Sequence, residues 1–237
     1  MNIKPIVRVT AGERPEKVIV ACVMTGDKYK PEYVYKLRDA VKRNLTICHD
    51  FVCLTDNAQE LEFNGIEHCR IDNPKRSWWD KFHLFNPRHF AAGTRVIYFD
   101  LDVVICDCID DIASVADSLA MVENFSPNRK HAPHNSSVMS FVAGSEEAQI
   151  IWEGWSARAD EFIARNHGDQ ETIAELVEYG RDYTVPNFRR ERVVSFKYDI
   201  KNHPLGCQQI KPQIIIFHGE PNPHQVKSDR FVQEHWL

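Results

Sequence analysis

The chain has 237 residues, a hydrophobic fraction of 43% and a formal net charge of −5. That is enough apolar material for one large domain or two small ones, and the acidic balance argues against a nucleic-acid partner held by bulk electrostatics. No run approaches the roughly 18–20 apolar residues of a membrane span, and the opening Met1-Asn2-Ile3-Lys4-Pro5 lacks the apolar core of a signal peptide, so a soluble, cytoplasmic protein is expected.

Residues 1–16 are polar, carry Pro5 and Pro15, and read as an N-terminal extension, loose or edge-strand. Val18 to Met24 is a continuous apolar run of strand length, closed by the turn signal Thr25-Gly26-Asp27. Pro31 then opens a helix with Tyr33, Leu37, Ala40 and Val41 on one face. Phe51 to Leu54 is a second short strand ended by Thr55-Asp56-Asn57, and Ile66 to Ile71 a third. Trp78 to Phe85 reads as a helix with Trp78, Phe82 and Phe85 on one face, ended by Pro87. An apolar strand from Val96 to Val104 follows, and Ile109 to Leu119 reads as a short helix. Ser137 to Val142 is strand-like, Ser145 to Asn166 a long helix, and Gln170 to Tyr179 another. Val193 to Phe196 and Ile214 to Phe217 are late strands. Alternating strands and helices imply an α/β fold with a mainly parallel sheet covered on both faces. In such sheets ligands bind beyond the C-terminal strand ends. Thr25-Gly26-Asp27, Thr55-Asp56-Asn57, Asp100 to Asp102 and His218-Gly219 all fall there, so one site can gather all four.

The strand Val96 to Val104 carries two carboxylates two residues apart, Asp100 and Asp102. On an extended strand they share one side and repel unless a cation lies between them. A divalent ion with hard oxygen ligands, itself holding a substrate's phosphates, answers both requirements. The seven cysteines are odd in number, form no Cys-x-x-Cys and read as reduced core thiols, as at Cys22 and Cys53. Cys106-x-Cys108 has soft-metal spacing, but no second Cys or His cluster lies beside it in sequence.

Over residues 18–224 the ordered motifs resemble the retaining glycosyltransferases of the glycogenin and bacterial lipopolysaccharide galactosyltransferase type (family 8-like). These have the GT-A nucleotide-diphospho-sugar transferase fold, a mainly parallel mixed sheet flanked by helices. The resemblance implies a single domain over residues 17–237, with a nucleotide-binding half at about 17–105 and a donor-sugar and acceptor half at about 106–237. Thr25 and Tyr29 match a strand-ending Thr and a Tyr that stacks on uracil; read alone, Tyr29 is a surface turn residue. Lys81 matches a donor-contacting Lys, though a Lys off an apolar stripe is ordinarily solvated. Phe99-Asp100-Leu101-Asp102 with Ile109-Asp110-Asp111-Ile112 is the strongest correspondence, in which Asp100 and Leu101 also touch the nucleotide sugar. His134-Asn135-Ser136-Ser137 resembles a donor-sugar segment, with Ser137 where the family has Gly. Gly168-Asp169-Gln170 matches an Asp-Gln pair near the reacting carbon, and Asp169 also reads as an N-cap.

Ile216 to His224 resembles a His…Gly…Lys-Pro-Trp motif. With Gly219 and Pro223 aligned the family His falls on Ile216, and His218, two residues on, keeps the same strand face. Asn222 stands where the family has Lys and His224 where it has Trp; Arg76, Lys211 and Lys227 are candidates to replace the lost charge. The resemblance thus implies Mn²⁺ (or Mg²⁺) on Asp100, Asp102 and His218. The donor-binding residues implied are Thr25, Tyr29, Lys81, Asp100, Leu101, Asn135, Ser136 and Gly219, with Asp169 and Gln170 at the catalytic centre. The partners implied are a nucleotide-sugar donor, by family default UDP-glucose or UDP-galactose, and an unidentified glycan or other hydroxyl acceptor. Three alternatives stay open: a haloacid-dehalogenase-type phosphatase using the same Asp pair, a nucleotidyltransferase, and a catalytically impaired nucleotide-sugar-binding protein.

Overall fold

The apolar run after the extension forms β1 (Lys17–Met24), and the chain returns through α1 (Pro31–Asn44) to β2 (Cys48–Thr55), paired in parallel with β1 along its whole length. The computed structural model describes residues 6–62, 65–126, 133–201 and 211–237; residues 1–5 of the extension and Cys207 lie outside the described residues. Pro31 suits the first turn of α1, where its missing N–H has no intrahelical partner to lose. Tyr33, Val34, Leu37, Ala40 and Val41 bury the apolar stripe of this helix.

A short helix, α2 (Gln59–Glu62), leads to β3 (Glu67–Arg70), which lies outside β2. On the other side of β1 lies β4 (Arg95–Phe99), also parallel. After β5 (Val103–Ile105) and α3 (Asp110–Ala113), the chain adds β6 (Leu119–Glu123) and β7 (His134–Val142). β7 runs antiparallel between β4 and β6. Helices α4 (Glu146–Arg165) and α5 (Asp169–Val177) precede β8 (Asn187–Phe188), which closes the sheet order β3-β2-β1-β4-β7-β6-β8. One face packs against α1, and the other against α4, α5 and a 3₁₀ helix over Trp78–Phe85. A second sheet, in the order β5-β10-β9, comprises β5, β10 (Ile214–Ile216) and β9 (Val193–Ser195), and α6 (Arg230–His235) covers it through Phe231 and Val232. Among the described residues no helix is long and apolar enough to cross a membrane.

Several expectations are corrected. The strand expected from Val96 to Val104 is two strands: β4 pairs with β7 as far as Phe99↔Val138, and β5 joins the other sheet. Asp100-Leu101-Asp102 is the turn between them, held by Asp100 N–H donating to the Ser137 carbonyl (2.8 Å) and Phe217 N–H to the Asp102 carbonyl (3.3 Å). In the Trp78–Phe85 helix, Trp78 is 54% exposed, and Trp79 instead stacks on Phe82 and Trp155. A 3₁₀ turn takes three residues, so the α-helical face does not carry over.

The helix expected over Ile109 to Leu119 stops at Ala113. The Arg95 guanidinium takes the carbonyls of Val115 (2.9 Å) and Asp117 (2.8 Å), drawing that segment into an extended path. The extension takes its edge-strand form: Asn187 N–H donates to Val7 (2.8 Å), and Ala116 N–H to Thr10 (2.8 Å). Asn135 and Ser136, which precede the strand expected from Ser137, lie within β7 at an irregularity, where Met121 pairs with Met139 but Val122 with Asn135.

Candidate active site

The turn between the two sheets opens into a cleft of about 310 Å³. Thr25, Tyr29, Lys81, Asp100, Leu101 and Asp102 line it from one half of the chain, and Asn135, Ser136, Asp169, Gln170, His218 and Gly219 from the other. All twelve donor-binding, metal and catalytic residues implied by the resemblance thus border one cavity, whereas of the three candidate replacement charges only Arg76 does.

Its floor is a closed ionic network. Lys81, only 9% exposed in its side chain, places Nζ 3.0 Å from Asp100 Oδ1 and 3.2 Å from Asp169 Oδ2. The same ammonium donates to Ser136 Oγ (2.9 Å), whose hydroxyl donates to Asp169 (2.5 Å). Tyr98 Oη donates to Asp100 Oδ1 (2.5 Å). Burial pulls the Lys81 pKa down, but the carboxylates of Asp100 and Asp169 outweigh it and leave it raised. Burial likewise opposes ionisation of Asp100, yet Lys81 and the Tyr98 hydroxyl hold its pKa below the ordinary carboxylate value. Lys81 is therefore a buried counter-ion shared by two acids.

Asp102 differs. It is 5% exposed, and its Oδ2 accepts from Tyr29 Oη (2.7 Å). Burial first, then the neighbouring Asp100 charge, pushes its pKa up to about 7. This is a carboxylate without an adequate cation. Lys28, which borders the cleft and lies 4.6 Å over the Tyr29 ring, lowers the Asp102 pKa but does not offset burial and the Asp100 charge.

His218 lies beyond β10, stacked between Phe125 and Tyr198 at centroid distances of 5.6 and 5.4 Å. Burial and then Lys197 depress its pKa to about 4, so the ring is neutral near pH 7. Its Nε2 shares a 2.7 Å hydrogen bond with Ser195 Oγ. Among the described residues no three His, Cys, Asp or Glu side chains are gathered closely enough to enclose a metal ion. The carboxylate pair suits a hard divalent cation, since Asp102 has a charge to neutralise. The imidazole borders the same cleft but faces Ser195.

Other expectations divide. The Thr25 hydroxyl donates to the fully buried Asp80 (2.6 Å), which also accepts from Lys75 N–H (2.8 Å). Thr25 is thereby a joint of the wall. Gly26 needs its left-handed backbone (φ 63), and an added Cβ would lie 3.0 Å from the Arg76 Cβ. The Thr55-Asp56-Asn57 turn stays outside the cleft; Asp56 instead accepts from Gly26 N–H (3.3 Å) and Arg76 Nε (3.1 Å). Leu101 is buried in the apolar core, leaving its backbone to face the cleft. Asp169 is the first residue of α5 and does not cap it; the N-cap is Gly168. That frees its carboxylate for Lys81. Asn135 Oδ1 accepts from Ser137 N–H (3.0 Å), shaping the cleft edge.

Sequence reasoning missed Lys28, Trp78 and Tyr98 as cleft residues. Tyr98 was signalled by its i, i+2 spacing from Asp100, which puts both on one side of a strand. The six described cysteines are all unpaired, and Cys48 and Cys108 are exposed.

No family model matches the sequence, and no curated protein matches it. Solved structures do match its architecture. The glycosyltransferase GlyE of Streptococcus pneumoniae TIGR4 superposes with a TM-score of 0.69 over 92% of this chain at 13% identity. The fold is that of glycosyltransferases. This chain spans 60% of the GlyE chain. It spans 93% of the galactosyltransferase LgtC, solved with donor and acceptor sugar analogs, at a TM-score of 0.66, 12% identity and 92% coverage. The bifunctional glycosyltransferase WbbM matches with a TM-score of 0.58, 14% identity and coverage of 93% of this chain and 48% of its own. This GT-A-type α/β architecture displaces the haloacid-dehalogenase alternative, which needs a different fold around its Asp pair.

Proposed function

We propose that the chain is a cytoplasmic glycosyltransferase. It moves a hexose from a nucleotide diphosphate sugar, a UDP-hexose such as UDP-glucose or UDP-galactose, to an acceptor hydroxyl with retention. The observation that carries this is the buried network Asp100–Lys81–Asp169–Ser136, set at the floor of a cleft at the mouth of the sheet. A pre-built polar floor of this kind can orient several sugar hydroxyls at once without reorganising.

In this reading Tyr29 offers its ring to the base, and Asp169, Ser136 and Asn135 hold the sugar. Gln170 faces the anomeric carbon, and Gly219 leaves room for the diphosphate. Asp100 and Asp102 would hold Mn²⁺ (or Mg²⁺), with His218 as the third ligand implied by the sequence. When bound, that ion supplies charge neutralisation for the departing diphosphate. Lys81 keeps Asp100 ionised and holds the Asp100 and Asp169 carboxylates in place.

The test is release of UDP from UDP-glucose and UDP-galactose with Mn²⁺, with product configuration read by NMR. We expect metal-dependent turnover that Asp102→Ala abolishes while near-native unfolding is retained. Full turnover in chelator would sink the metal assignment. Tight UDP binding without transfer or hydrolysis would favour the impaired-binder alternative.

A further inference from the structure

A second and larger cavity, about 680 Å³, adjoins the candidate active cleft and shares Lys28 with it. Four lysines line it, Lys28, Lys30, Lys36 and Lys227, against two acids, Asp27 and Glu32. That surplus of positive charge stands in a chain of net charge −5. Among the described residues neither Lys30 nor Lys227 has an ion-pair partner. Lys36 Nζ lies 4.6 Å over the Trp236 ring and donates to the Trp236 carbonyl (3.2 Å). The aromatic side of the cavity is tied together: Tyr33 packs edge-on against Trp236 (5.2 Å) and its hydroxyl meets His224 Nδ1 at 2.5 Å.

Unpaired like charges around a concavity raise the local concentration of anions. Lysine ammoniums bind phosphate as point charges, and flat rings beside them receive the apolar face of a ring-bearing ligand. We propose that this cavity is an anion subsite that takes the phosphate-bearing end of the acceptor. The acceptor role rests on the transferase reading above; anion binding does not.

The test uses glucose 6-phosphate, glucose and UDP as probes for calorimetric titration of the full chain. Lys30 and Lys227 are both exposed, so the Lys30→Ala/Lys227→Ala variant should fold normally. Glucose 6-phosphate should bind the parent chain better than glucose. Its affinity should fall at least about tenfold in the double variant and on raising salt from about 0.05 to about 0.5 M. Lys227, a sequence candidate for the donor phosphates, borders this cavity and not the active cleft, so UDP affinity should be unchanged in the double variant. Equal binding of glucose and glucose 6-phosphate, or binding of neither, overturns the subsite. A parallel loss of UDP affinity in the double variant overturns it too, by assigning the cavity to the donor. With UDP-hexose and Mn²⁺, glucose 6-phosphate should release more UDP than glucose, a preference lost in the double variant; equal rates overturn the acceptor role. Absence of transfer to any acceptor counts against the transferase reading and leaves the binding result standing.

Discussion

Lys81 and Asp102 sit within one cleft yet have opposite energetic characters. The Lys81 ammonium, itself buried, satisfies Asp100 and Asp169 together. Removing one partner of a buried ion pair leaves an uncompensated charge and typically costs about 3–5 kcal/mol. Lys81→Met is therefore expected to lower the unfolding free energy by that order in urea titration, and a loss below about 1 kcal/mol would show that the network is solvated. Asp102 behaves in the reverse way. Its folded-state pKa of about 7 lies above the unfolded value of about 3.9. Its contribution therefore favours the folded state at low pH and is lost as pH rises through about 7. Asp102→Asn removes that penalty. Between about pH 5 and about pH 8 the variant should gain about 1–3 kcal/mol of stability relative to the parent chain while losing cation binding. A pH-independent difference would show that Asp102 carries no excess charge.

At the scale of elements, the cleft depends on how β7, α5 and β8 are tied together. His134, at the start of β7, places Nε2 2.8 Å from Glu178 Oε1 and Nδ1 3.0 Å from Asn187 Oδ1. Val185 N–H donates to the same Glu178 oxygen (2.8 Å). The site is closed to water, so Glu178→Ala strands two donors at once, a loss of about 2–4 kcal/mol. Because β7 also positions Asn135 and Ser136, donor affinity should fall with it, measurable by thermal unfolding and UDP titration. Affinity held at the parent level would show that β7 is fixed by its ladder alone. This tie was illegible in the sequence, because His134 and Glu178 are 44 residues apart. The apolar runs of β1, β2 and β10 were legible, since period and burial depend on neighbours in the chain. The break at Asp100 was not. It follows from β5 finding a partner in β10, more than a hundred residues later, and from Phe217 capping the Asp102 carbonyl. Likewise Asp169 resembles an N-cap by position, and only the approach of Lys81 shows that its carboxylate serves the cleft.

The molecule as a whole divides charge between two sheets. The larger sheet supplies Lys81 from one flank and the seam at Asp100, and the smaller sheet supplies His218 from the end of β10. Between them the cleft collects the carboxylates of Asp100, Asp102 and Asp169, with Lys81 already committed to two of these. A nucleotide diphosphate entering alone brings negative charge toward the uncompensated Asp102, and a divalent cation entering alone has no phosphates to complete its oxygen shell. Each should therefore bind better with the other present, and by linkage the coupling is the same in either direction. A ligand at about one hundred times its dissociation constant stabilises the folded state by about 2.7 kcal/mol, a rise in Tm of about 5–11 °C at this chain length. The rise in Tm produced by Mn²⁺ and UDP together should thus exceed the sum of their separate rises, and Asp102→Asn should return the combined effect to additivity. If UDP raises Tm equally in chelator and in Mn²⁺, the two sheets hold the nucleotide through protein groups alone, and the Asp pair has another purpose.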